Sequence, residues 1–535
     1  MNFGATPISS FAGDYLTNSP KWPLVLVSAA VLYLVQRLNF LRKGCLPPGP
    51  RGLPLVGNLF QLSPDVWHTF TKWKELYGPL VYINIAGQSI LILNSHKVAA
   101  DLLDRRGPNY SNRPRFIVAS EILTGGFLIP FTQYNDVWRR MRRAAHEGLN
   151  NQVVRGFQPA QYKEALLLTS GILRHPNRWN EEFRRATASM VWSVVYDKPV
   201  IANSEHPSIA TVNAFMARLV RAALPGSHYV EFFPWMKHIP SSMAKWKRDA
   251  EEWYRKDSKV FEDLYTEAKH RVAAGDDRST FAATVVWSKH YSNLARNVNH
   301  HGLSDKESAW LAVALYGAGA DTTAGALSWF FLAMVLYPEV QSKIQEELDT
   351  VVGRSRLPTF ADRDHLPYLQ ATVREVGRWH PVGVPHQSAA DDWYEGYFIP
   401  KGTICIANIW ALNRDLEVYG PDAAEFDPGR YLDEKGQLKP ALADTKDGHV
   451  SYGFGRRICV GRHVANSSLF IDIACLLWAV NIRPEQDAHG KPILPSESES
   501  INDGLVVRPV RFKCSIAPRF PRVETILVQT LELVN

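Results

Sequence analysis

The first strongly apolar run, residues 22–35, reads WPLVLVSAAVLYLV, with only Ser28 interrupting it and Arg37, Arg42 and Lys43 following. It is shorter than the roughly 20 residues a spanning helix needs. Leu38, Phe40 and Leu41 extend it, Arg37 can snorkel, and no small-residue cleavage site follows. The pattern predicts a membrane anchor over 22–41, in preference to a signal-peptide core or a buried helix. Positive charge on its carboxyl side puts the body of the chain in the cytoplasm and residues 1–21 in the lumen. Pro47, Pro48 and Pro50, with Gly49, Gly52, Pro54 and Gly57, then fix φ and remove N–H donors. Residues 42–58 therefore read as a stiff, basic and proline-rich hinge.

Further along, the rhythm changes twice. Residues 80–85 and 89–94 cluster β-branched side chains around Ala86-Gly87-Gln88, which predicts a β-hairpin. Most of the remainder has helical periodicity punctuated by proline, as at 232–240, Tyr337-Pro338 and Leu366-Pro367. Residues 271–301 are polar and irregular and read as a surface connection. They lead into Ser304-Asp305-Lys306-Glu307, a capping box. Nothing stops the following helix before Pro338, so it should run about 33 residues, or roughly 50 Å. The expected fold class is mainly α with a minor β region, in one large domain over 59–535.

Composition agrees with one large core: 535 residues, 46% hydrophobic, with 16 Trp, 24 Phe and 20 Tyr. No repeat or low-complexity linker divides the chain. The net charge of +7 is modest, but basic residues cluster at Arg139, Arg140, Arg142 and Arg143 and at Arg456, Arg457 and Arg462. Without a nucleic-acid motif, these patches point to acidic lipid or an acidic protein, not to nucleic acid. Five cysteines without close pairs exclude a disulfide framework and suit a reducing compartment.

Candidate chemistry falls at four places. Cys459 ends the glycine-bounded stretch Tyr452-Gly453-Phe454-Gly455-Arg456-Arg457-Ile458, with an apolar helix pattern after it. Backbone N–H donors and nearby positive charge favour a thiolate there, which makes Cys459 either a metal ligand or a small buried cysteine. A zinc site on Cys459 and His463 lacks further ligands nearby. In the long helix, Gly317, Gly319 and Gly325 surround Asp321 and Thr322. Such glycines mark close packing or the approach of a flat ligand, and an acid beside an alcohol can relay protons. Glu375 and Arg378 lie three apart on an apolar helix, and Arg430 offers a third charge. Trp138 and Arg142 lie four apart on one helix face, which is either solvated or aimed at an anion.

Taken together these residues resemble the cytochrome P-450 family. Tyr452, Gly455, Arg457, Cys459 and Gly461 match its haem-binding loop at fixed offsets, with Tyr where the family has Phe. Residues 318–323 resemble its oxygen-binding helix, and Glu375, Arg378 and Arg430 resemble its Glu/Arg/Arg triad. Flanking segments look like fungal microsomal members of secondary metabolism. The resemblance implies a cytochrome P-450 fold behind the anchor and haem b (iron protoporphyrin IX) with Cys459 as the iron's axial ligand. It assigns the propionates to Trp138, Arg142, Arg457 and His386, proton delivery to Asp321 and Thr322, and a structural role to the triad. It further implies a monooxygenase in the endoplasmic reticulum membrane, fed by NADPH-cytochrome P-450 reductase docking on Arg139, Arg140 and Arg143, with cytochrome b5 as a second candidate partner. By alignment with the family, residues 116–130, 211–225, 316–319, 382–384 and 502–505 line an apolar cavity for a hydrophobic substrate. An oxygen-independent haem-thiolate isomerase or dehydratase, and a non-catalytic haem-binding membrane protein, are the alternative readings.

Overall fold

The computed structural model describes residues 44–63, 65–201, 207–224, 226–274, 280–286, 301–379, 383–442, 445–502 and 506–534. The segment 1–21, the anchor expected over 22–41, and Arg42 and Lys43 lie outside these residues. The long helices are α1 (Val66–Tyr77), α2 (Asp136–Gly148), α3 (Gln158–Arg174), α4 (Trp179–Tyr196), α5 (Pro207–Ala223), α6 (Lys245–Ala273), α7 (Asp305–Leu336), α8 (Pro338–Val351), α9 (Pro367–Trp379) and α10 (Arg462–Ala479).

The expected long helix is α7, with 32 residues and hence about 48 Å of length. Its capping box is complete: Ser304 Oγ accepts from Glu307 N at 3.2 Å and Glu307 Oε2 accepts from Ser304 N at 2.7 Å. By length and composition α7 could cross a membrane, but it is buried on nearly every side instead. Its first half packs into a core with α2, α4, α5 and α6, where Phe215 and Phe261 meet the buried Trp310 edge-on at 5.8 and 5.1 Å. The second half joins α3, α8, α9 and α10 in another core, where Trp379 meets Trp329 and Phe426. A helix apolar all round is stable only in such a position.

The hairpin forms as expected from β1 (Leu80–Ile85) and β2 (Gln88–Leu93), through a turn in which Ala86 and Gly87 both have positive φ, 48° and 91°. The strand β2 is central. It pairs on its other side with β6 (Ile404–Ala407), which pairs with β3 (His386–Gln387) in a sheet ordered β1-β2-β6-β3. Between β3 and β6 runs the hairpin of β4 (Asp392–Tyr394) and β5 (Tyr397–Ile399). Near the carboxyl end, β7 (Val480–Gln486) pairs with β8 (Pro492–Ile493) and with β11 (Cys514–Pro518), and β9 (Ser500–Asn502) pairs with β10 (Val507–Pro509). The described part of the proline-rich hinge docks on β1: Tyr82 N donates to Pro48 O at 2.8 Å, and a Cβ on Gly49 would stand 1.9 Å from Tyr82 O.

One expectation needs correction. Within the stretch read as a surface connection, Phe281–Val286 is a helix whose Phe281 is fully buried against Gly148 of α2. A single aromatic in a polar context carries too little periodicity to announce this. Residues 275–279 and 287–300 lie outside the described residues.

Candidate active site

Cys459 stands just before α10, on a loop that closes on itself. Its N–H donates to Tyr452 O at 2.8 Å, and the Gly461 N–H donates to the thiol. Gly455 is required: its φ is +55°, and a Cβ there would stand 2.1 Å from Leu103 O. The hydroxyl that Tyr452 brings donates to Asn466 Oδ1 at 2.6 Å, and Asn466 Nδ2 in turn donates to Asp447 at 3.1 Å. The Cys459 side chain is exposed, yet burial pushes its thiol pKa up, while Gly461 N–H, Arg142 and Arg462 pull it down. Surface that opens on the interior of the protein and not on bulk water reconciles the two.

Around this loop the protein gathers positive charge. Asn135 caps α2 by accepting from Trp138 N at 2.9 Å, which sets Trp138 and Arg142 one turn apart. The Arg457 guanidinium lies 4.3 Å from the Trp138 ring and donates to Ser111 O, Ile129 O and Thr132 O at 2.8, 3.2 and 2.7 Å. Arg113, which the sequence reading missed, donates to Pro130 O, Val384 O and Pro385 O at 2.9, 2.9 and 2.6 Å. Among the described residues no carboxylate pairs with Arg113, Arg142 or Arg457. Burial lowers all three pKa values, that of Arg113 to about 9 and that of Arg457 to about 8, with Arg113 and Arg142 adding repulsion at Arg457.

His386 completes the cluster differently than expected. Its Nδ1 lies 2.7 Å from Tyr110 O, and burial, then Arg113, hold its pKa well below the usual range. A neutral ring donating from Nδ1 keeps Nε2 as an acceptor. It becomes a donor to an anion by taking a second proton, which a carboxylate bound beside it would favour. Buried like charges are costly without counter-ions. The guanidiniums and the Trp138 indole suit the two carboxylates of a haem, and the N–H-supported Cys459 thiol suits its iron. The residues present fit the group.

Behind the loop, Glu375 and Arg378 are completely buried and Arg430 nearly so. Glu375 accepts from Arg378 Nη2 and Nε at 2.7 and 2.6 Å, from Arg430 Nε at 3.1 Å and from Asp427 N at 2.8 Å. Arg378 also donates to Asn413 O, Ala423 O and Glu425 O. A second residue the sequence reading missed, Asn413, links this network to the loop. It donates to Arg378 O at 3.0 Å and to Ser451 Oγ at 2.8 Å, and accepts from Val450 N at 3.0 Å.

On α7, Thr322 Oγ1 donates to Ala318 O at 2.7 Å, and the helix continues unbroken. The glycines are accounted for by packing. A Cβ on Gly317, Gly319 or Gly325 would stand 2.7, 2.9 or 3.0 Å from Met216, Val191 or Val506. Asp321 borders a cavity of about 510 Å³ between α4, α5, α7 and the β9–β10 ribbon. Of the expected cavity segments, 211–225 contributes Asn213, Met216, Ala217, Val220, Arg221 and Leu224 and 502–505 contributes Asn502, residues 116–130, 316–319, 383 and 384 do not border it, and 225, 382 and 503–505 lie outside the described residues. Its wall is more polar than expected.

Of the expected docking arginines, Arg139 and Arg143 are exposed, as is Arg456. Arg140 turns inward instead, donating to Gly302 O and to Glu307 at 3.2 Å and so tying α2 to the start of α7.

Residues 47–515 match the sequence profile of the family described as Cytochrome P450. A cytochrome P450 monooxygenase of Armillaria gallica is 55% identical over 523 residues, spanning 97% of this chain and 98% of the relative. Cytochrome P450 monooxygenase 58 of Postia placenta is 50% identical over 512 residues, 95% of each chain. Cytochrome P450 monooxygenase iboC of Amanita muscaria is 42% identical over 558 aligned residues, 95% of this chain and 97% of that one.

Proposed function

Because the chain belongs to the cytochrome P450 family and is a P450 monooxygenase, we propose that it oxidises a largely hydrophobic small molecule of fungal secondary metabolism. Dioxygen and NADPH-derived electrons drive the reaction. The electrons come through a flavoprotein reductase, NADPH-cytochrome P-450 reductase, with cytochrome b5 as a second donor. The protein sits in the endoplasmic reticulum membrane through a single span over 22–41, with the catalytic domain facing the cytoplasm.

Haem, when bound, supplies the activation of dioxygen and the one-electron chemistry at iron. In this reading Cys459 ligates the iron as a thiolate, favoured by Gly461 N–H and the charges of Arg142 and Arg462. Arg113, Arg142, Arg457 and Trp138 hold the propionates, and the Glu375/Arg378/Arg430 network with Asn413 keeps the ligand loop in place. Asp321 reaches solvent protons through the cavity it borders. Thr322 Oγ1, which at rest donates to Ala318 O, would pass a proton on only as it takes another from Asp321 or solvent, and so remains a neutral alcohol.

The observation that carries the reading is the cluster of Arg113 and Arg457, both buried, with the half-buried Arg142 beside Cys459, a cluster with no paired carboxylate among the described residues. The test has two readouts on membranes carrying the full chain. Dithionite and carbon monoxide should give the red-shifted Soret band of thiolate-bound haem, and substrate should accelerate NADPH consumption when reductase is added. Absence of the band defeats the reading, and NADPH use that ignores substrate defeats the catalytic part. Thr322→Ala should keep the band but divert electrons to hydrogen peroxide, lowering product per NADPH by on the order of tenfold or more. Unchanged coupling would remove Thr322 from proton delivery.

A further inference from the structure

The Tyr452 hydroxyl belongs to a ring of contacts that begins and ends on the backbone of Cys459. Cys459 N donates to Tyr452 O at 2.8 Å, the Tyr452 hydroxyl donates to Asn466 Oδ1 at 2.6 Å, and Asn466 Nδ2 donates to Asp447 Oδ1 at 3.1 Å. Asp447 Oδ2 then faces Arg462 Nε at 3.9 Å, and Arg462 Nη1 reaches back to Cys459 O at 3.5 Å. Arg462 and Asn466 lie four apart at the start of α10, so one helix face carries both.

Within the ring the two charges do not close on each other. At 3.9 Å they form an ion pair without a hydrogen bond, and Asp447 Oδ2 is buried with no hydrogen-bond partner among the described residues. Both side chains are under a quarter exposed, Arg462 at 23% and Asp447 at 22%, so water screens them only in part. Asn466 holds the carboxylate by its Oδ1, and the Tyr452 O–H fixes which end of the carboxamide points where, oxygen to Tyr452 and NH2 to Asp447. A phenylalanine at 452 would leave that carboxamide free to turn. The two charges act on Cys459 in opposite senses: Arg462 favours the thiolate and Asp447 disfavours it. A fixed negative charge beside an axial ligand makes each electron added at the metal less favourable.

We propose that Asp447, held in place by Asn466 and Tyr452, sets the charge felt at the Cys459 sulfur and thereby holds down the reduction potential of the haem. Asp447 acts through Cys459, as a positioning residue, and its own placement depends on the Tyr452 hydroxyl. This gives the tyrosine at 452 a function beyond filling the place of a phenylalanine. The inference deepens the haem-thiolate reading and rests on it.

The test is a reductive titration of the haem-loaded, detergent-solubilised full chain, with the ferric–ferrous midpoint as readout. Asp447→Asn keeps an acceptor oxygen for Asn466 and removes only the charge, so it should favour the ferrous form at least about threefold, or about 30 mV for one electron. Arg462→Gln should shift the midpoint in the opposite sense. In a Tyr452→Phe background the Asp447→Asn exchange should move the midpoint by roughly half as much or less, because the carboxylate is no longer held. An Asp447→Asn midpoint equal to the parent's overturns the proposal. Shifts of the same sense from Asp447→Asn and Arg462→Gln also overturn it, since they would report a disturbed loop and not a charge. An equal Asp447→Asn shift in both backgrounds removes Tyr452 from the role. The carbon monoxide spectrum of the same samples judges the haem-thiolate reading separately. With the thiolate band present and the midpoints unmoved, only the charge-setting role falls. With the band absent, the haem-thiolate reading falls and takes this inference with it.

Discussion

Replacing Glu375 with Gln removes one negative charge and leaves every neighbouring atom in place. Glu375 is wholly buried and accepts four hydrogen bonds, from Arg378 twice, from Arg430 and from Asp427 N. A carboxamide can accept only at its oxygen, and its NH2 group would face guanidinium donors. The buried Arg378 is then left without its counter-ion, and Arg430 with only the half-exposed Asp422 at 3.4 Å, at a cost of about 3–5 kcal/mol. That is a large share of the roughly 5–15 kcal/mol by which folded proteins exceed their unfolded states.

Urea unfolding of the haem-loaded protein should show a lowered midpoint with an unchanged slope, together with less haem retained per chain. Turnover per retained haem should stay near that of the parent. Converting both partners to apolar residues, Glu375→Leu with Arg378→Met, should not restore stability, because Arg378 also serves the carbonyls of Asn413, Ala423 and Glu425. Each carbonyl orphaned in the interior costs about 1–3 kcal/mol. A Glu375→Gln midpoint equal to the parent's would refute the electrostatic argument. Full haem retention with slower turnover per haem would move Glu375 from scaffold to chemistry.

Arg113→Met should lower haem content as strongly as Arg457→Met, read from the carbon monoxide spectrum per mole of chain; full loading of Arg113→Met would remove it from the propionate set. Gly455→Ala should cost more than about 4 kcal/mol, because its Cβ would stand 2.1 Å from Leu103 O at a φ of +55°. Gly453→Ala, at φ +77° with nothing within 4 Å, should cost only about 1–2 kcal/mol, and equal midpoints for the two variants would contradict the packing argument. His449 is pushed down to about 3 by burial, then by Arg378 and Arg374. Its unfolded form takes up a proton near pH 6.5 and its folded form only near 3, so the stability it contributes is complete above 6.5 and lost as pH falls, by roughly 4 kcal/mol at pH 3. His449→Gln should flatten that acid limb in urea midpoints measured against pH, and an equally steep limb would show that other groups cause it.

The parts of the site legible in the sequence are those whose partners lie within a few residues or repeat with a helical period. Ser304 and Glu307 are a local reciprocal pair, Glu375 and Arg378 share a helix face, and the turn at Ala86-Gly87 is set by two adjacent φ angles. Each is decided by geometry that three or four residues contain. Arg113 is different: its acceptors lie 17, 271 and 272 residues away in sequence, so no window around Arg113-Pro114 contains the reason for it. Asn413 serves partners 35, 37 and 38 residues away and has the same invisibility.

Arg140 shows how the local signal misleads in the opposite direction. It belongs to a basic run that reads as one exposed face, yet an α-helix turns 100° per residue, so Arg139, Arg140, Arg142 and Arg143 spread over an arc of about 160° and meet different neighbours. The helix divides them: Arg139 and Arg143, four apart, face solvent, Arg142 lies within the electrostatic reach of Cys459, and Arg140 ties to Glu307. The same division separates Arg218 from Arg221 on α5, where one guanidinium is paired with Asp257 and the other borders the cavity. A run of like charge on a helix therefore carries as many roles as the helix has neighbours. The guanidinium that is buried and finds no carboxylate among the described residues, as Arg113 and Arg457 are, is the one that marks a site.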